Sequence, residues 1–180
     1  EGSKFKLPLE GRHNAMNFLM ALTVATELGL SIKNHDQLKI NMPMGRNRLV
    51  DCGQYLVLDE TYNASPESVF ASLEVLVSKP GRHFAVLGTM LELGPESISL
   101  HKKVLERAVE LGLTGIVFVS CGEESNIVKK IIKGLPNHDV VRTPKDAAIS
   151  LLSWLSPGDN ILIKGSRKMK LEKVLPYLQQ

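Results

Sequence analysis

The stretch QYLVLDETYNASPESVFASLEVL, residues 54–76, contains the unit from which the predicted fold is built. Its run Tyr55–Leu58 is short, apolar and rich in β-forming residues, and Ser65 followed by Pro66 is typical of a helix start. The helix that follows has one apolar stripe at positions i, i+4 and i+7, formed by Val69, Leu73 and Leu76. The stretch therefore predicts a β-strand followed by an amphipathic α-helix.

The same unit recurs along the chain, each time as a short apolar run with a helical pattern after it. The further runs are Phe84–Leu87, Ile116–Val119, Asp139–Arg142 and Asn160–Ile163. Strands that alternate with amphipathic helices predict a doubly wound α/β domain, a mostly parallel sheet with helices on both faces. Arg48–Asp51 predicts an antiparallel edge strand that pairs with Tyr55–Leu58, and a helix is predicted over Pro144–Leu155. Ligands of such a sheet bind at the carboxyl ends of its strands.

Residues 1–44 do not share this alternation. Asn14–Leu28 predicts a single helix, and a polar connector leads from it to the α/β domain. The apolar face of that helix is predicted from Phe18, Leu22 and Ala25. Because an isolated helix of this length is marginal in water, we interpret residues 1–44 as the end of a second domain and residues 45–180 as the α/β domain. A chain that begins with Glu1 rather than Met fits a piece of a longer protein.

The composition excludes several classes of protein. A hydrophobic content of 43% excludes a disordered chain, and no apolar run approaches the roughly 20 residues of a membrane span. A net charge of +3 is far from a nucleic-acid-binding composition. Cys52 and Cys121 form neither a disulfide framework nor a metal-ligand spacing. The composition predicts a soluble cytoplasmic protein with no metal ligands, no nucleic-acid partner and no membrane insertion.

Polar side chains cluster at the start of the predicted first helix. His13 and Asn17 are four residues apart and Asn14 and Asn17 three apart, so they share one helical face. Paired amide donors and acceptors suit the edge of a nucleobase. A helix cap on a solvated surface is the simpler interpretation of the spacing alone.

An acidic pair, Asp59 and Glu60, follows the first strand of the predicted parallel sheet. Carboxylates at the carboxyl end of a strand commonly accept hydrogen bonds from ribose hydroxyls or hold Mg²⁺. A solvated acidic turn explains the same residues, and both interpretations remain open at this point.

Lys164, Gly165 and Ser166 leave the last strand and open the last predicted helix. Three more basic residues follow them, Arg167, Lys168 and Lys170. Exposed N–H groups, a small glycine and a fixed lysine make an anion site. No G-x-x-x-x-G-K-[ST] motif occurs in the chain, so the site suits a carboxylate or a single phosphate better than a triphosphate.

Arg46 comes directly after Gly45 in the connector between the predicted domains. An arginine on a flexible segment can swing onto a phosphate and neutralise charge that develops during transfer. The Gly-flanked loop Leu87–Gly94 follows another strand, and ordinary loop packing explains it. The remaining histidines have no partners at ligand spacing: His35, His83, His101 and His138.

Five motifs occur in one order along nearly the whole chain, and together they resemble the Mur ligases. They are GRHNAMN at 11–17, Gly45-Arg46, YNASPES at 62–68, LGTMLELG at 87–94 and KGSRKM at 164–169. The resemblance implies a Rossmann-like C-terminal domain, preceded by a helix left over from the central ATPase domain. It also implies an ATP-dependent amide ligase of peptidoglycan assembly, in which D-Ala-D-Ala joins UDP-MurNAc-tripeptide through an acyl phosphate. ATP and Mg²⁺ are implied, with the Mg²⁺ ligands on the central domain, and we expect the fragment alone to be inactive.

The resemblance also implies roles for single residues. His13, Asn14 and Asn17 would lie at the nucleotide, Arg46 would reach its phosphates, and Asp59 or Glu60 would hold the ribose. The dipeptide and the reacting centre would lie among Tyr62, Asn63, Ser65, Lys164, Gly165 and Ser166, with Arg46 and Lys164 catalytic.

Two positions depart from the family pattern: Glu60 and Thr89 stand where aspartate is expected. Other interpretations of the chain are a sibling ligase of the Mur or folylpolyglutamate type, and a non-catalytic anion-binding module resembling a signalling receiver. The Tyr62–Ala64 loop disfavours the sibling ligase. A receiver also needs an aspartate after Val119, where the chain has none.

Overall fold

A computed structural model describes residues 11–30, 43–120 and 122–179, except for the side chain of His13. The chain divides into two compact units, Glu1–Met42 and Pro43–Gln180. In the first unit, α1 (Arg12–Glu27) confirms the predicted helix. Its half-buried apolar side chains include the predicted stripe of Phe18, Leu22 and Ala25. Most of the predicted polar connector lies outside the described residues.

The second unit is built on a six-stranded sheet, and this sheet confirms the predicted doubly wound α/β fold. The strands are β1 (Arg48–Asp51), β2 (Leu56–Glu60), β3 (His83–Gly88), β4 (Gly115–Val119), β5 (Asn137–Val141) and β6 (Asn160–Lys164). They lie in the order β1-β2-β6-β3-β4-β5. All neighbours are parallel except β1 and β2, which form the predicted antiparallel hairpin at the edge.

Helices cover both faces of the sheet. On one face lie α2 (Pro66–Val77), α3 (Ser97–Glu110) and α4 (Ser125–Ile132), and on the other α5 (Pro144–Leu152) and the short α6 (Leu175–Leu178). Side chains alternate between faces along a strand, so that Ala85 packs with the first group and Phe84 with the second. At the start of α2, the Ser65 hydroxyl accepts from the backbone N–H of Ser68, which confirms the predicted cap.

The strand order has a topological switch point at β6. The chain leaves β2 and β3 for helices on one face, whereas β6, which lies between them, is followed by elements packed on the opposite face. Such a reversal opens a cleft at the carboxyl ends of the strands, where ligands of this architecture bind. We call the ends of these three strands and the loops after them, residues 59–66, 88–94 and 164–170, the carboxyl edge.

The last two predicted helices differ from the structure. α5 ends at Leu152 rather than Leu155, because the chain turns at Ser153 and half-buried side chains after it pack on the core. After β6 the chain forms 3-10 turns at Arg167–Met169 and Leu171–Val174 instead of one regular helix. The residue between the turns, Lys170, has a φ of 52°, which interrupts a right-handed helical path.

No helix among the described residues combines the length and apolar character that a bilayer span requires. Across that same part of the chain, no three His, Cys, Asp or Glu side chains gather as metal ligands would. The second unit is instead built around buried apolar strands, and every residue of β4 and β6 is buried.

Candidate functional site at the carboxyl edge

The two residues of the acidic pair have different surroundings. Both belong to the end of β2 rather than to the predicted loop, because they pair with Ile163 and Lys164 of β6. The Asp59 side chain is buried, and its carboxylate accepts from the backbone N–H and the hydroxyl of Thr61, at 3.3 and 2.7 Å. Glu60 is half-buried, and its Oε2 atom lies 3.6 Å from Nζ of Lys164. The Asp59 carboxylate thus contacts Thr61 in the turn that follows it, whereas the Glu60 carboxylate lies near Lys164 of the neighbouring strand.

The segment that carries Arg46 is held against this edge, although the sequence predicted a flexible connector. The Gly45 carbonyl accepts from the backbone N–H of Tyr62 at 2.8 Å, and the Asn47 N–H donates to Oε1 of Glu60 at 3.1 Å. Gly45 has a φ of +77°, and a Cβ there would lie 2.8 Å from the Tyr62 nitrogen. The backbone on both sides of Arg46 is therefore fixed by contacts, and the exposed Arg46 side chain extends from a fixed point.

Two guanidinium groups lie near one aromatic ring. Cζ of Arg46 is 4.2 Å from the centroid of the Tyr62 ring, and Cζ of Arg167 is 5.9 Å from the same centroid. These distances are in the range of cation–π attraction. Tyr62 is 38% exposed, so the ring holds both cations at the protein surface.

Lys164 is a buried cation. Its side chain is 4% exposed, and Nζ donates to the Asn63 carbonyl at 3.1 Å. Burial lowers the pKa of the Lys164 ammonium, the nearby charge of Arg46 lowers it slightly more, and Glu60 partly opposes both. Lys164 therefore joins the end of β6 to the loop after β2.

Gly165 and Ser166 do not form the predicted set of exposed N–H groups. The Ser166 N–H donates to the Thr89 carbonyl at 3.3 Å, and its hydroxyl accepts from the Leu91 N–H at 2.8 Å. A Cβ at Gly165 would lie 3.1 Å from Cα of Gly88. The prediction of a helix start here was wrong, because a three-residue 3-10 turn follows and supplies no helix dipole.

Sequence reasoning missed a buried carboxylate in the neighbouring loop. Thr89, where the sequence resemblance led us to expect aspartate, donates its hydroxyl to Oε1 of Glu124 at 2.5 Å, and Ser120 donates to the same atom at 3.0 Å. Burial raises the pKa of Glu124, but hydrogen bonds from Thr89, its own N–H and Ser120 outweigh burial and lower it. A carboxylate from the loop after β4 therefore contacts the position where the resemblance implied an aspartate.

His101 was also missed, although its spacing carried a signal. It lies on the buried face of α3 together with Val104, Leu105 and Ala108. Its Nε2 atom accepts from the Met90 N–H at 2.8 Å, while Nδ1 lies 2.7 Å from the Ser97 carbonyl. His101 on α3 thus fixes the loop at 88–94 through its hydrogen bond with Met90.

The remaining predicted site residues lie in two places. Ser65 caps α2, as described above. Asn14 is half-buried and Asn17 exposed on α1, in the other compact unit, and the side chain of His13 is outside the described set. The predicted contacts of these residues with a nucleotide stay a prediction.

Comparison with known proteins identifies relatives of the chain. Residues 45–167 match the family described as "Mur ligase, glutamate ligase domain". The chain is 36% identical to the UDP-N-acetylmuramoyl-tripeptide--D-alanyl-D-alanine ligase of Synechocystis sp. over 99% of this chain and 40% of the relative. The ligase of the same name from Escherichia coli is 32% identical over 97% of this chain and 38% of its own length. The chain thus spans about two fifths of the length of these relatives.

Solved structures agree with this relationship. The MurF ligase from Thermotoga maritima in complex with ADP has a TM-score of 0.80 and 29% identity, covering 95% of this chain and 39% of that one. MurF from Acinetobacter baumannii has a TM-score of 0.84 and 29% identity, covering 98% and 39%. The family match extends over more than half of the chain and removes the receiver interpretation. The chain belongs to the Mur ligase family.

Proposed function

We propose that this chain is the C-terminal part of an ATP-dependent ligase that joins D-alanyl-D-alanine to UDP-N-acetylmuramoyl-tripeptide in peptidoglycan synthesis. The supporting observation is that four motifs distant in sequence meet at the carboxyl edge through hydrogen bonds of 2.8 to 3.3 Å. These bonds join Gly45 to Tyr62, Asn63 to Lys164, and Ser166 to Thr89 and Leu91. One connected surface built from these motifs is what a shared active site requires.

Six residues are proposed as nucleotide contacts: His13, Asn14, Asn17, Arg46, Asp59 and Glu60. Arg46 offers an exposed guanidinium to the phosphates, and Glu60 offers a carboxylate to the ribose hydroxyls, in preference to the buried Asp59. His13, Asn14 and Asn17 are proposed to contact the base, since amides read a nucleobase edge well. A solved MurF relative contains ADP, which is consistent with this proposal.

Residues 1–44 are proposed to be the end of the central ATPase domain, and residues 45–180 the C-terminal domain. The part of the chain described by the structure carries no group of metal ligands. The Mg²⁺ ligands and the triphosphate-binding loop are therefore proposed to lie on the polypeptide that the longer relatives possess. The whole ligase is proposed to act in the cytoplasm, because two of its substrates, ATP and UDP-N-acetylmuramoyl-tripeptide, contain nucleotides.

The proposed reaction forms one amide bond at the expense of one ATP. The terminal carboxylate of the tripeptide receives the γ-phosphoryl group of ATP, and ADP is released. The dipeptide amine then attacks the acyl carbon, and phosphate and one proton are released. Arg46 would stabilise the charge that develops on the transferred group. The buried charge of Lys164 would hold the Asn63 loop and Tyr62 beside the reacting centre.

The test measures phosphate release by the full ligase that contains this chain. We expect turnover only when ATP, UDP-N-acetylmuramoyl-tripeptide and D-alanyl-D-alanine are all present. The 180-residue chain alone should release no more phosphate than buffer, because its sequence has no triphosphate-binding loop. Single amino acids offered in place of the dipeptide are the matched control. Turnover with one of them and not with the dipeptide would identify a sibling ligase instead.

A further inference from the structure

The groups that the sequence assigned to an anion at the carboxyl edge are engaged inside the protein. The Lys164 side chain is 4% exposed and donates to Asn63, and the Ser166 hydroxyl and N–H both contact the loop at 88–94. Lys164 and Ser166 are therefore not available as hydrogen-bond donors to a substrate carboxylate. The dipeptide of the proposed reaction ends in a carboxylate, so a cation at the same edge must receive it.

Arg167 meets this requirement. It directly follows Ser166, its side chain is 61% exposed, and Cζ lies 5.9 Å from the Tyr62 ring centroid. It forms an ion pair with Glu172, in which Nη1 and Oε1 are separated by 3.8 Å, beyond hydrogen-bond distance. Among the described residues its guanidinium therefore donates no hydrogen bond, while ring and carboxylate restrict where it points. A planar guanidinium held in this way can bind a carboxylate through two parallel N–H donors.

Building on the proposed function, we propose that Arg167 binds the C-terminal carboxylate of D-alanyl-D-alanine and that Tyr62 positions its guanidinium. The two arginines near the ring then have different ligands. Arg46, on the Gly45–Asn47 segment, binds the nucleotide, and Arg167, after the end of β6, binds the dipeptide. The two guanidinium carbons lie 4.2 and 5.9 Å from one ring centroid, so the two bound anions would be close to each other. This proximity suits a reaction in which an amine attached to one anion attacks a centre beside the other.

The other exposed cations of this edge fit the role less well. Lys168 and Lys170 are exposed and make no ion pair within the described residues. Nothing there fixes either ammonium, and each carries a point charge without the bidentate geometry of arginine. Lys168, which neighbours Arg167 in the same 3-10 turn, is therefore a matched control.

The experiment compares Arg167→Ala, Arg167→Lys and Lys168→Ala in the full ligase, with D-alanyl-D-alanine and its C-terminal amide as substrates. In Arg167→Ala we expect kcat/KM for the dipeptide to fall roughly 10- to 100-fold, which corresponds to losing hydrogen bonds between charged groups. KM for ATP and for UDP-N-acetylmuramoyl-tripeptide should stay within about twofold. Arg167→Lys should recover part of the loss, and Lys168→Ala should match the wild type.

The amide substrate provides the decisive comparison, because it has no carboxylate for Arg167 to bind. Wild type and Arg167→Ala should use the amide equally poorly. Equal use of the acid by both enzymes, or a rise in the KM for ATP instead, would overturn the assignment of Arg167 while leaving the proposed function intact. A wild-type enzyme without dipeptide-dependent turnover would refute the proposed function and this inference together.

Discussion

The two ends of the sheet carry ion pairs that are built differently. At the amino ends of β3 and β6, Arg82 meets Asp159 through two hydrogen bonds of 2.9 and 2.6 Å. Asp159 also accepts from the Ser156 N–H at 2.7 Å, and Arg82 also donates to the Trp154 carbonyl at 3.2 Å. Each polar group there has a partner within the fold.

At the carboxyl edge the charges are only partly satisfied. Lys164 and Glu60 lie 3.6 Å apart, and the exposed guanidinium of Arg46 has no ion-pair partner among the described residues. Arg46 and Arg167 lie near one aromatic ring, and the only ion pair of the two among the described residues is the 3.8 Å contact of Arg167 with Glu172. Charges that are matched within the protein contribute to stability, whereas charges without partners are available to a ligand. We therefore expect substitutions at the two ends to separate stability from activity.

The largest effect is expected at Arg46. Arg46→Ala in the full ligase should lower kcat about 100-fold, because a donor that stabilises transferred charge is lost. The dissociation constant for ATP, measured by calorimetry, should change much less, since ground-state binding uses other contacts as well. A variant that loses ATP affinity and retains kcat would make Arg46 a binding residue only.

A reciprocal pair, Asp159→Asn and Glu60→Gln, tests the separation directly. Asp159→Asn removes the negative charge that accepts hydrogen bonds from Arg82 and the Ser156 N–H. The urea midpoint of this variant should therefore fall further than that of the Glu60→Gln variant. Glu60→Gln should instead raise the KM for ATP several-fold, while Asp159→Asn leaves kcat per folded molecule unchanged. If both variants lose stability and activity to the same extent, the two ends of the sheet do not have separate roles.

Gly165 tests how closely the loops at the carboxyl edge approach each other. In Gly165→Ala the new Cβ would lie 2.7 Å from Cδ1 of Leu171 and 3.1 Å from Gly88, so we expect a loss of about 2 kcal/mol in the free energy of unfolding. Gly134→Ala is the control, since nothing lies within 4 Å of a Cβ there. Urea denaturation of the isolated chain measures both. Equal stability of the two variants would show that the loops can separate without cost.

The sequence predicted the sheet because its strands carry a local signal. Apolar runs such as Ile116–Val119 and Asn160–Ile163 need burial on both faces, and a parallel sheet provides it. The end of β2 was less visible, since Asp59 and Glu60 resemble a polar turn. They continue the strand because β6 pairs with them, and no local pattern records that pairing.

The sequence predicted which residues lie at the carboxyl edge, but it did not predict the contacts that these residues make with one another. The motifs placed Glu60, Tyr62 and Lys164 at one edge, and the structure brings them together. Arg46, which was predicted on a flexible connector, lies beside the same edge. Which groups are engaged internally depends on contacts between distant loops, such as the Leu91 N–H that donates to Ser166. The spacing of residues within one motif cannot show that the Ser166 hydroxyl accepts a hydrogen bond from a residue of another motif.

The smallest expected effect is the pH dependence of stability that arises from Lys164. Because burial lowers the pKa of Lys164 in the folded chain, the unfolded chain binds its proton more tightly. Between the lowered pKa of the folded chain and the unfolded value of 10.5, Lys164 is protonated to a greater extent in the unfolded chain than in the folded chain. The folded state therefore gains stability as the pH rises through this range. The Lys164→Met variant has no such proton, and the difference between wild type and variant should therefore grow in favour of the wild type over this range. Urea denaturation at a series of pH values measures that difference. A flat difference would mean that Glu60 and Asn63 offset the burial of the ammonium, and the carboxyl edge would then resemble the amino end in having its charges matched within the fold.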